Sequence, residues 1–438
     1  MILIYVEEIS ERLLYTFDFI FKERRIEYRI TNDKHFLENS SLPKFNYSNI
    51  EIDYILYIRP STLLFDENIG VYGIDKGNFE GEECLTINNK VDPIASIFYI
   101  LTRMEEYNPM YVDQHGRFEA RNSVLNRFNW LERVVCDRWA EAFIRYLLRN
   151  KIEIGLPKQI PFKMNPTFDI DETFAYKLKS PIRTWLATLK DLVTGKKDRL
   201  IERQRVLIGK RTDPYDTFDY IKNISEKGFQ VNMFWLLGDY AKFDKNVSHR
   251  NNKHRKLIQE MSKEVIVGLH PSYKSNTYEF YLLNEKERLE SILRHQVENS
   301  RQHYLKLTIP KTYQILQSMG FKNDYSMGYA ETVGFRAGTA RPFRWFDLSK
   351  NEMTPFVIHP FAYMDGTLRE YMNLSIEEAK EKINDLYYEV KEYGGQFSFI
   401  WHNSTIGQYG IYRGWKEVLE HTLNLEGDQN SNNTPSID

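Results

Sequence analysis

The chain has 438 residues, of which 42% are apolar and 14% aromatic, including 29 Tyr and 27 Phe. This is enough apolar material for about two packed domains, so the composition excludes disorder for the bulk of the chain. The formal net charge of -2 gives no overall field that attracts nucleic acid, so we expect no nucleic-acid partner. No apolar run is long enough for a membrane span, so we expect no transmembrane helix.

The cysteines and the N-terminus predict the compartment. Cys84 and Cys136 lie far apart, which argues against a disulfide framework and a zinc ribbon. The first residues contain no basic segment, and their apolar run ends at Glu7, which is too short for a secretory signal. We therefore expect a cytoplasmic protein, while its oligomeric state is left open.

Residues 1–155 are predicted to form an N-terminal α/β domain. It begins with a β-rich run over 2–6 and a helix over 10–24 that Ser10 caps, followed by strand-like runs. Asp92 and Pro93 read as the N-cap and first residue of a further helix. A proline-containing linker is predicted over 154–166.

From residue 160 to 425, strand-like apolar runs alternate with helical ones, which favours βα units around a mainly parallel sheet or barrel. The predicted strands are 162–170, 231–237, 265–269, 304–309, 356–358 and 397–401. The predicted helices are 216–227, 253–262, 284–297, 310–320 and 376–393. The polar tail over 426–438 is predicted to be disordered.

The segment from Lys190 to Arg211 is unusually basic, with eight Lys or Arg against three acidic residues. Such a segment could contact an anionic glycan or nucleotide. A solvated helical insertion is the simpler interpretation.

Polar residues follow three of the predicted strands, where βα barrels place their active sites. Asp169 and Asp171 end the first strand, and a period of two directs both carboxylates to one side. One could bind a cation while the other accepts a proton, although N-capping aspartates would look the same. His270 and His402 end two later strands, and imidazole is a common ligand of zinc.

These three segments resemble the polysaccharide deacetylases of the NodB-homology class, also called carbohydrate esterase family four. The segment Asp169-Ile170-Asp171 is closest to the branch whose first motif reads Asp-x-Asp, and the resemblance covers residues 160 to 420. Segments 92–140 and 262–345 are similar to a bacterial group that has an additional N-terminal domain of unknown function. Residues 92–107 followed by 113–118 resemble the signature of that domain. The resemblance implies an α/β fold, a distorted (β/α) barrel of the NodB type preceded by a smaller α/β domain.

The resemblance also implies roles for individual residues and a divalent metal, with zinc the expected ion. It makes Asp169 the general base, Asp171 and His270 metal ligands, and His402 the general acid. Arg301 is favoured over Arg336 as the arginine that orients the base. Arg336 would then bind substrate, although a purely structural ion pair is an equally good interpretation of either arginine. Tyr273 and Trp401 are candidate platforms for a sugar.

The sequence departs from the family at Lys274, where the second metal-binding histidine is expected. A protonated amine cannot bind a metal ion, so either another residue supplies the third ligand or the metal is weakly bound or absent. His303, two residues after Arg301 on a predicted extended segment, is the first substitute, and the alternative is that His303 only forms hydrogen bonds within the cleft. His249 and His359 are poorer ones.

The predicted function is hydrolysis of N- or O-acetyl groups on a sugar or polysaccharide. Lys274 supports one alternative, a catalytically degenerate barrel that binds glycan without turning it over. A second alternative is a retaining glycosidase, which needs two carboxylates about 5 Å apart on either side of the scissile bond.

Overall fold

Three β-sheets organise the chain in the computed structural model, which describes residues 1–155, 157–407 and 409–426. The predicted disordered tail lies, from residue 427 onward, outside these residues. None of the helices described is both long and apolar enough to cross a membrane.

The N-terminal part contains two small sheets. Its strands are β1 (Ile2–Tyr5), β2 (Tyr28–Thr31), β3 (Lys44–Tyr47), β4 (Leu56–Ile58), β5 (Ile74–Phe79), β6 (Glu82–Ile87) and β7 (Lys90–Val91). Its helices are α1 (Glu11–Phe17), α2 (Lys34–Asn39), α3 (Pro93–Leu101), α4 (Val124–Arg127) and α5 (Val135–Arg149). The first sheet is parallel in the order β2-β1-β3-β4, and the second is an antiparallel meander of β5, β6 and β7.

The predicted helix caps are confirmed here. The Ser10 side chain accepts a hydrogen bond from the Leu13 amide at the start of α1. The Asp92 side chain accepts from the Ile94 and Ala95 amides, with Pro93 in the first turn of α3. Every residue of α3 is buried, because this apolar helix packs between α1, α5 and β6.

A nine-stranded sheet forms the C-terminal part. Its strands are β8 (Phe162–Ile170), β9 (Asn232–Leu236), β10 (Ile266–His270), β11 (Asn299–Ser300), β12 (Asn323–Asp324), β13 (Phe343–Asp347), β14 (Glu352–Ile358), β15 (Tyr363–Met364) and β16 (Gly395–His402). The helices are α6 (Pro181–Val193), α7 (Lys197–Leu207), α8 (Phe218–Glu226), α9 (Asn252–Met261), α10 (Glu279–Leu293), α11 (Lys311–Ser318), α12 (Ile376–Tyr393), α13 (Asn403–Ile406) and α14 (Lys416–Asn424).

The strand order in this sheet is β13-β14-β12-β11-β10-β9-β8-β16-β15, and only the β13–β14 pair is antiparallel among the strands described. The sheet is curled into a half-barrel whose edges are β13 and β15. The predicted α/β class, with a curled and mainly parallel sheet after a smaller α/β region, is confirmed.

One predicted strand is wrong. Residues 304–309 alternate apolar and polar side chains, but the structure has a 3-10 turn at His303–Leu305, and the strand is the preceding pair β11. Tyr304 and Leu305 have positive φ values of 61° and 50°, which no strand accommodates. The chain therefore turns away from the sheet immediately after Arg301.

Buried ion pairs join the N-terminal part to the C-terminal part. Asp137 of α5 contacts Arg341 Nε at 2.6 Å, and both side chains are buried. Glu106 binds two arginines, with Oε1 at 2.8 Å from Arg103 Nε and at 2.9 Å from Arg336 Nε. The buried Arg336 and Arg341 of the C-terminal part are therefore compensated by carboxylates of the N-terminal part, which requires that the two parts stay packed together.

Candidate metal centre and cleft

The polar ends of three parallel strands meet at one edge of the curled sheet. The strands β10, β9, β8 and β16 are consecutive neighbours, and His402 is in register with Asp169. Since parallel strands end at the same edge, Asp169, Asp171, His270 and His402 converge there, as predicted.

Asp171, His270 and His303 form a compact group of potential metal ligands, whose donor atoms all lie within 4.8 Å of one another. His270 Nε2 is 3.1 Å from Asp171 Oδ1, and His303 Nε2 is 3.4 Å from Asp171 Oδ2. The predicted proximity of Asp171 and His270 is confirmed. His303 is the residue that joins them.

Each histidine at this edge is oriented by an acceptor at its Nδ1 atom. The acceptors are the Arg301 carbonyl oxygen for His270 at 2.6 Å, Asp244 Oδ1 for His303 at 2.9 Å and Asp365 Oδ1 for His402 at 2.8 Å. In a neutral imidazole, an acceptor at Nδ1 places the single proton on that nitrogen and leaves the Nε2 lone pair free for a cation. All three Nε2 atoms lie near Asp171.

The donor set fits a divalent cation. Asp171 Oδ1 is buried and makes no hydrogen bond within the described residues. Burial raises the pKa of Asp171, but the nearby His303, His270 and His402 outweigh burial and hold that pKa well below its usual range. Two imidazole nitrogens and a carboxylate are ligands typical of a catalytic zinc, although these donors also suit other transition metals.

The neighbouring carboxylates raise the pKa values of two of these histidines. Burial lowers the pKa of His303, but Asp171 and Asp244 outweigh burial and raise it to about 9. Burial also lowers the pKa of His402, and Asp365 and Asp171 raise it to about 10. Without a cation, the protonated imidazole rings of His303 and His402 thus supply the positive charge that a bound cation would provide.

His303 reaches the centre by a route that differs from the predicted one. An extended segment from Arg301 to His303 was expected to direct both side chains to the same side. Instead, the 3-10 turn at His303–Leu305 carries the imidazole toward Asp171, while the His303 amide donates to the Pro271 carbonyl at 3.3 Å. His303 therefore lies beside Asp171 as predicted, but its backbone forms a turn and not an extended segment.

Asp169 is held next to the metal group by Arg301. Arg301 donates from Nη1 to Asp169 Oδ1 at 2.8 Å and from Nε to the Tyr325 carbonyl at 2.9 Å. The guanidinium lies over the Phe234 ring at 4.4 Å. Asp169 Oδ2 is 3.8 Å from His270 Nε2, so this carboxylate faces the same space as the metal ligands.

The strand ends open into a cleft with a cavity volume of about 550 Å³. Its walls include Asp169, His402 and several aromatic side chains, among them Phe243, Tyr304, Tyr371, Tyr409 and Tyr412. The N-terminal part contributes Arg117, which donates to the Tyr304 carbonyl at 2.9 Å and pairs with Asp113 at 2.7 Å. Aromatic walls of this kind suit the apolar faces of a sugar.

Two predicted substrate contacts require correction. Arg336 is only 1% exposed, and its guanidinium pairs with Glu106 between the two parts of the chain, so it does not reach the cleft. Trp401 is fully buried because the alternation of β16 directs its ring away from the mouth that His402 faces. Tyr273 is half-buried near the rim, with its ring 4.3 Å from Phe243 and its hydroxyl 3.1 Å from His115 Nδ1.

The remaining candidates lie away from the metal group. Lys274 is exposed and donates to the Tyr281 hydroxyl at 2.7 Å. His359 stacks on Tyr325 at 4.2 Å and bonds Asn323, while His249 lines a second cavity beside α6.

Sequence reasoning missed three residues that shape the site. Asp244 and Asp365 orient His303 and His402, and Arg117 supports the turn that follows His303. The Tyr363-Met364-Asp365-Gly366 segment, a short strand followed by a carboxylate, contained the signal for Asp365. Asp244 lies in a long irregular loop and had none.

Comparison with known proteins gives partial matches. Residues 2–152 match a family of unknown function, DUF7033. No curated protein matches the chain. A solved structure from Mycobacterium smegmatis, assigned as a polysaccharide deacetylase, is 13% identical over 61% of this chain and 90% of its own, with a TM-score of 0.38. A polysaccharide deacetylase from Bacillus cereus is 11% identical over 62% of this chain and 89% of its own, with a TM-score of 0.27. The PuuE allantoinase is 12% identical over 49% of this chain and 69% of its own, with a TM-score of 0.34.

Proposed function

We propose that the protein is a metal-dependent hydrolase that removes N- or O-acetyl groups from a sugar or polysaccharide. The observation that carries this proposal is the convergence of the Asp169–Arg301 pair, the Asp171–His270–His303 group and His402 at one edge of the sheet. A base, a cation site and an acid around one cleft are the parts that acyl hydrolysis requires.

Asp171, His270 and His303 would hold the cation. When bound, a divalent ion supplies Lewis acidity to the acyl carbonyl oxygen and to water. Its identity is part of the proposal, with zinc favoured by the imidazole and carboxylate donors.

The chain itself supplies the proton transfers. Asp169, fixed by Arg301, is placed to accept a proton from the water whose oxygen attacks the acyl carbon. The bond from that carbon to the sugar nitrogen or oxygen then breaks, and acetate is released. His402, oriented by Asp365, is placed to donate a proton to the departing amine or alkoxide.

The aromatic side chains of the cleft support a carbohydrate substrate. Phe243 and Tyr304 lie 5.4 Å apart by ring centroid, with an interplanar angle of 72°, next to the metal group. A sugar has apolar C–H faces that pack on such rings and hydroxyls that reach polar groups nearby.

The position of Lys274 weakens the alternative of a degenerate glycan-binding module. Its side chain is exposed at Tyr281 and does not occupy the space among the metal ligands. A retaining glycosidase is weakened by Asp171, since three imidazoles around this carboxylate suit a cation ligand better than a group that contacts the sugar.

The test is acetate release by the purified full chain, after loading with Zn²⁺, Co²⁺, Ni²⁺ or Mn²⁺, from N-acetylglucosamine oligomers and from acetylated xylan. Asp169→Asn should lower turnover by about 100-fold or more and leave metal content intact, because it removes a base without removing a ligand. Lys274→Ala is the matched control and should keep full activity. A glycan-binding module would bind these sugars without releasing acetate from any of them.

A further inference from the structure

The hairpin of α6 and α7, residues 181–207, exposes apolar side chains and buries polar ones. Its first helix exposes an apolar stripe consisting of Ile182, Trp185, Leu186, Leu189, Leu192 and Val193. These residues are between 44% and 80% exposed. Their spacing places all six within about a third of the helix circumference. A helix of a globular protein normally buries such a stripe.

The opposite face of α6 is polar and contacts both α7 and the loop that follows β9. Asp191 is buried and pairs with Arg203 of α7 at 2.5 Å. Arg183 donates to the Asn246 carbonyl at 3.1 Å and lies over the Tyr240 ring at 4.5 Å. Because these contacts fix the orientation of α6, the apolar stripe faces solvent.

The charges around the stripe are mostly positive. Lys190, Lys196, Lys197, Arg205 and Lys210 are exposed. Two of the three acids in the segment, Asp191 and Glu202, are buried and paired with arginines, which leaves Asp198 as the exposed acid between Lys190 and Arg211. The hairpin is therefore locally cationic, although the whole chain has a net charge of -2.

We propose that the α6–α7 hairpin docks on an anionic lipid bilayer surface, with the apolar stripe inserted at the headgroup boundary. An apolar face with Trp and Leu, flanked by Lys and Arg, is the composition of helices that lie in a membrane interface. In a two-fold dimer through the stripe, the same cationic flanks would face each other and repel. Nucleic acid would satisfy the charges but leave the stripe in water.

Docking in this way would bring the cleft to the bilayer. A second cavity lies between α6 and the cleft, and Glu172, Tyr215, Lys245 and Tyr409 line both. The two spaces are therefore contiguous, and a substrate attached to the membrane could reach the strand ends. Binding itself does not depend on the proposed hydrolysis.

Vesicle flotation of the full chain tests the inference. The protein should float with vesicles of phosphatidylglycerol and phosphatidylcholine and much less with phosphatidylcholine alone, and added salt should weaken binding. Trp185→Ser combined with Leu189→Ser should lower the affinity for the anionic vesicles by about 10-fold or more. Phe280→Ser is the matched control, because this exposed aromatic residue lies on α10, outside the hairpin.

Tryptophan fluorescence gives a second readout that requires no variant. Of the seven tryptophans, all in the described part of the chain, Trp185 is 64% exposed and the others are at most 3% exposed. Brominated lipids should therefore quench Trp185 selectively. Absence of vesicle binding, or binding that the double variant retains, would overturn the proposal. So would a dimer that forms in solution and is lost in the double variant, because a second copy would then cover the stripe.

Discussion

Arg301 donates a hydrogen bond from Nη1 to Oδ1 of Asp169 at 2.8 Å, and neither side chain is more than 3% exposed. The same guanidinium also binds the Tyr325 carbonyl through Nε. Two contacts from one planar group fix the direction of the Asp169 carboxylate, which a single point charge could not do.

The first prediction concerns this pair. Arg301→Lys keeps the charge but loses the planar fork, so it should lower kcat by about 10-fold or more while KM and bound metal change little. Steady-state kinetics and metal analysis of the purified variant measure this. If KM rises while kcat is preserved, Arg301 acts on substrate binding and not on the base.

The second prediction concerns the third metal ligand. His303→Ala should lower the affinity for Zn²⁺ by at least about 10-fold, because it removes one of three ligands. Lys274→His should leave that affinity unchanged, since the group is already complete. Calorimetric titration with Zn²⁺ compares both variants with the parent. A gain in affinity in Lys274→His would show that the centre lacks a ligand and that His303 does not provide it.

Much of this site could be predicted because strand ends are visible in the sequence. The buried run of β8 was predicted with its observed bounds, and its period of two directed Asp169 and Asp171 to one side. His270 and His402 follow similar runs. Parallel pairing then brings these ends together without any further information.

The rest depended on contacts between distant residues. Arg336 seemed suited to a cleft loop, but its partner Glu106 lies 230 positions away in the sequence. Tyr304 and Leu305 have side chains typical of strands, and residue type did not reveal their positive φ values. The turn that brings His303 to Asp171 could therefore not be predicted, although the residue itself was.

The third prediction concerns the support of this turn by the N-terminal part. Arg117→Met removes the hydrogen bond to the Tyr304 carbonyl and should weaken Zn²⁺ binding by about 10-fold, because the turn positions His303. Arg121→Met is the control, since this exposed arginine pairs only with nearby Glu119 among the described residues. Equal Zn²⁺ affinity in both variants would mean that the turn holds its shape without Arg117.

The fourth prediction concerns the ion pairs between the two parts. Glu106→Gln leaves the buried Arg103 and Arg336 without their shared carboxylate and should lower the free energy of unfolding by about 3 to 5 kcal/mol. Glu23→Gln removes a half-exposed partner of Arg341 and should cost less than about 1 kcal/mol. Urea unfolding of both variants provides the comparison. Similar losses in the two variants would indicate that burial does not increase the contribution of the Glu106 ion pairs to the free energy of unfolding.

The last prediction concerns pH and a buried carboxyl beside the metal-site loops. Glu285 of α10 accepts a hydrogen bond from the Ser272 amide at 2.8 Å. Burial raises the pKa of Glu285 to about 7, against its ordinary value of 4.5, although the bonds from Ser272 oppose the change. The folded protein therefore binds a proton more tightly than the unfolded chain does. Its stability should fall as the pH rises from about 4.5 to about 7, by up to about 3 kcal/mol in total.

Glu285→Gln mimics the protonated carboxyl and keeps an acceptor for the Ser272 amide. The variant should match the parent at about pH 5 and melt at a higher temperature at about pH 8, where the parent must hold a buried charge. Thermal unfolding across this range measures the difference. Glu287→Gln is the control on the same helix, because water solvates this exposed carboxylate in both the folded and the unfolded chain. A difference in melting temperature that stays constant with pH, or that favours the parent at high pH, would contradict this prediction. It would show that the charged form of Glu285 does not destabilise the folded protein.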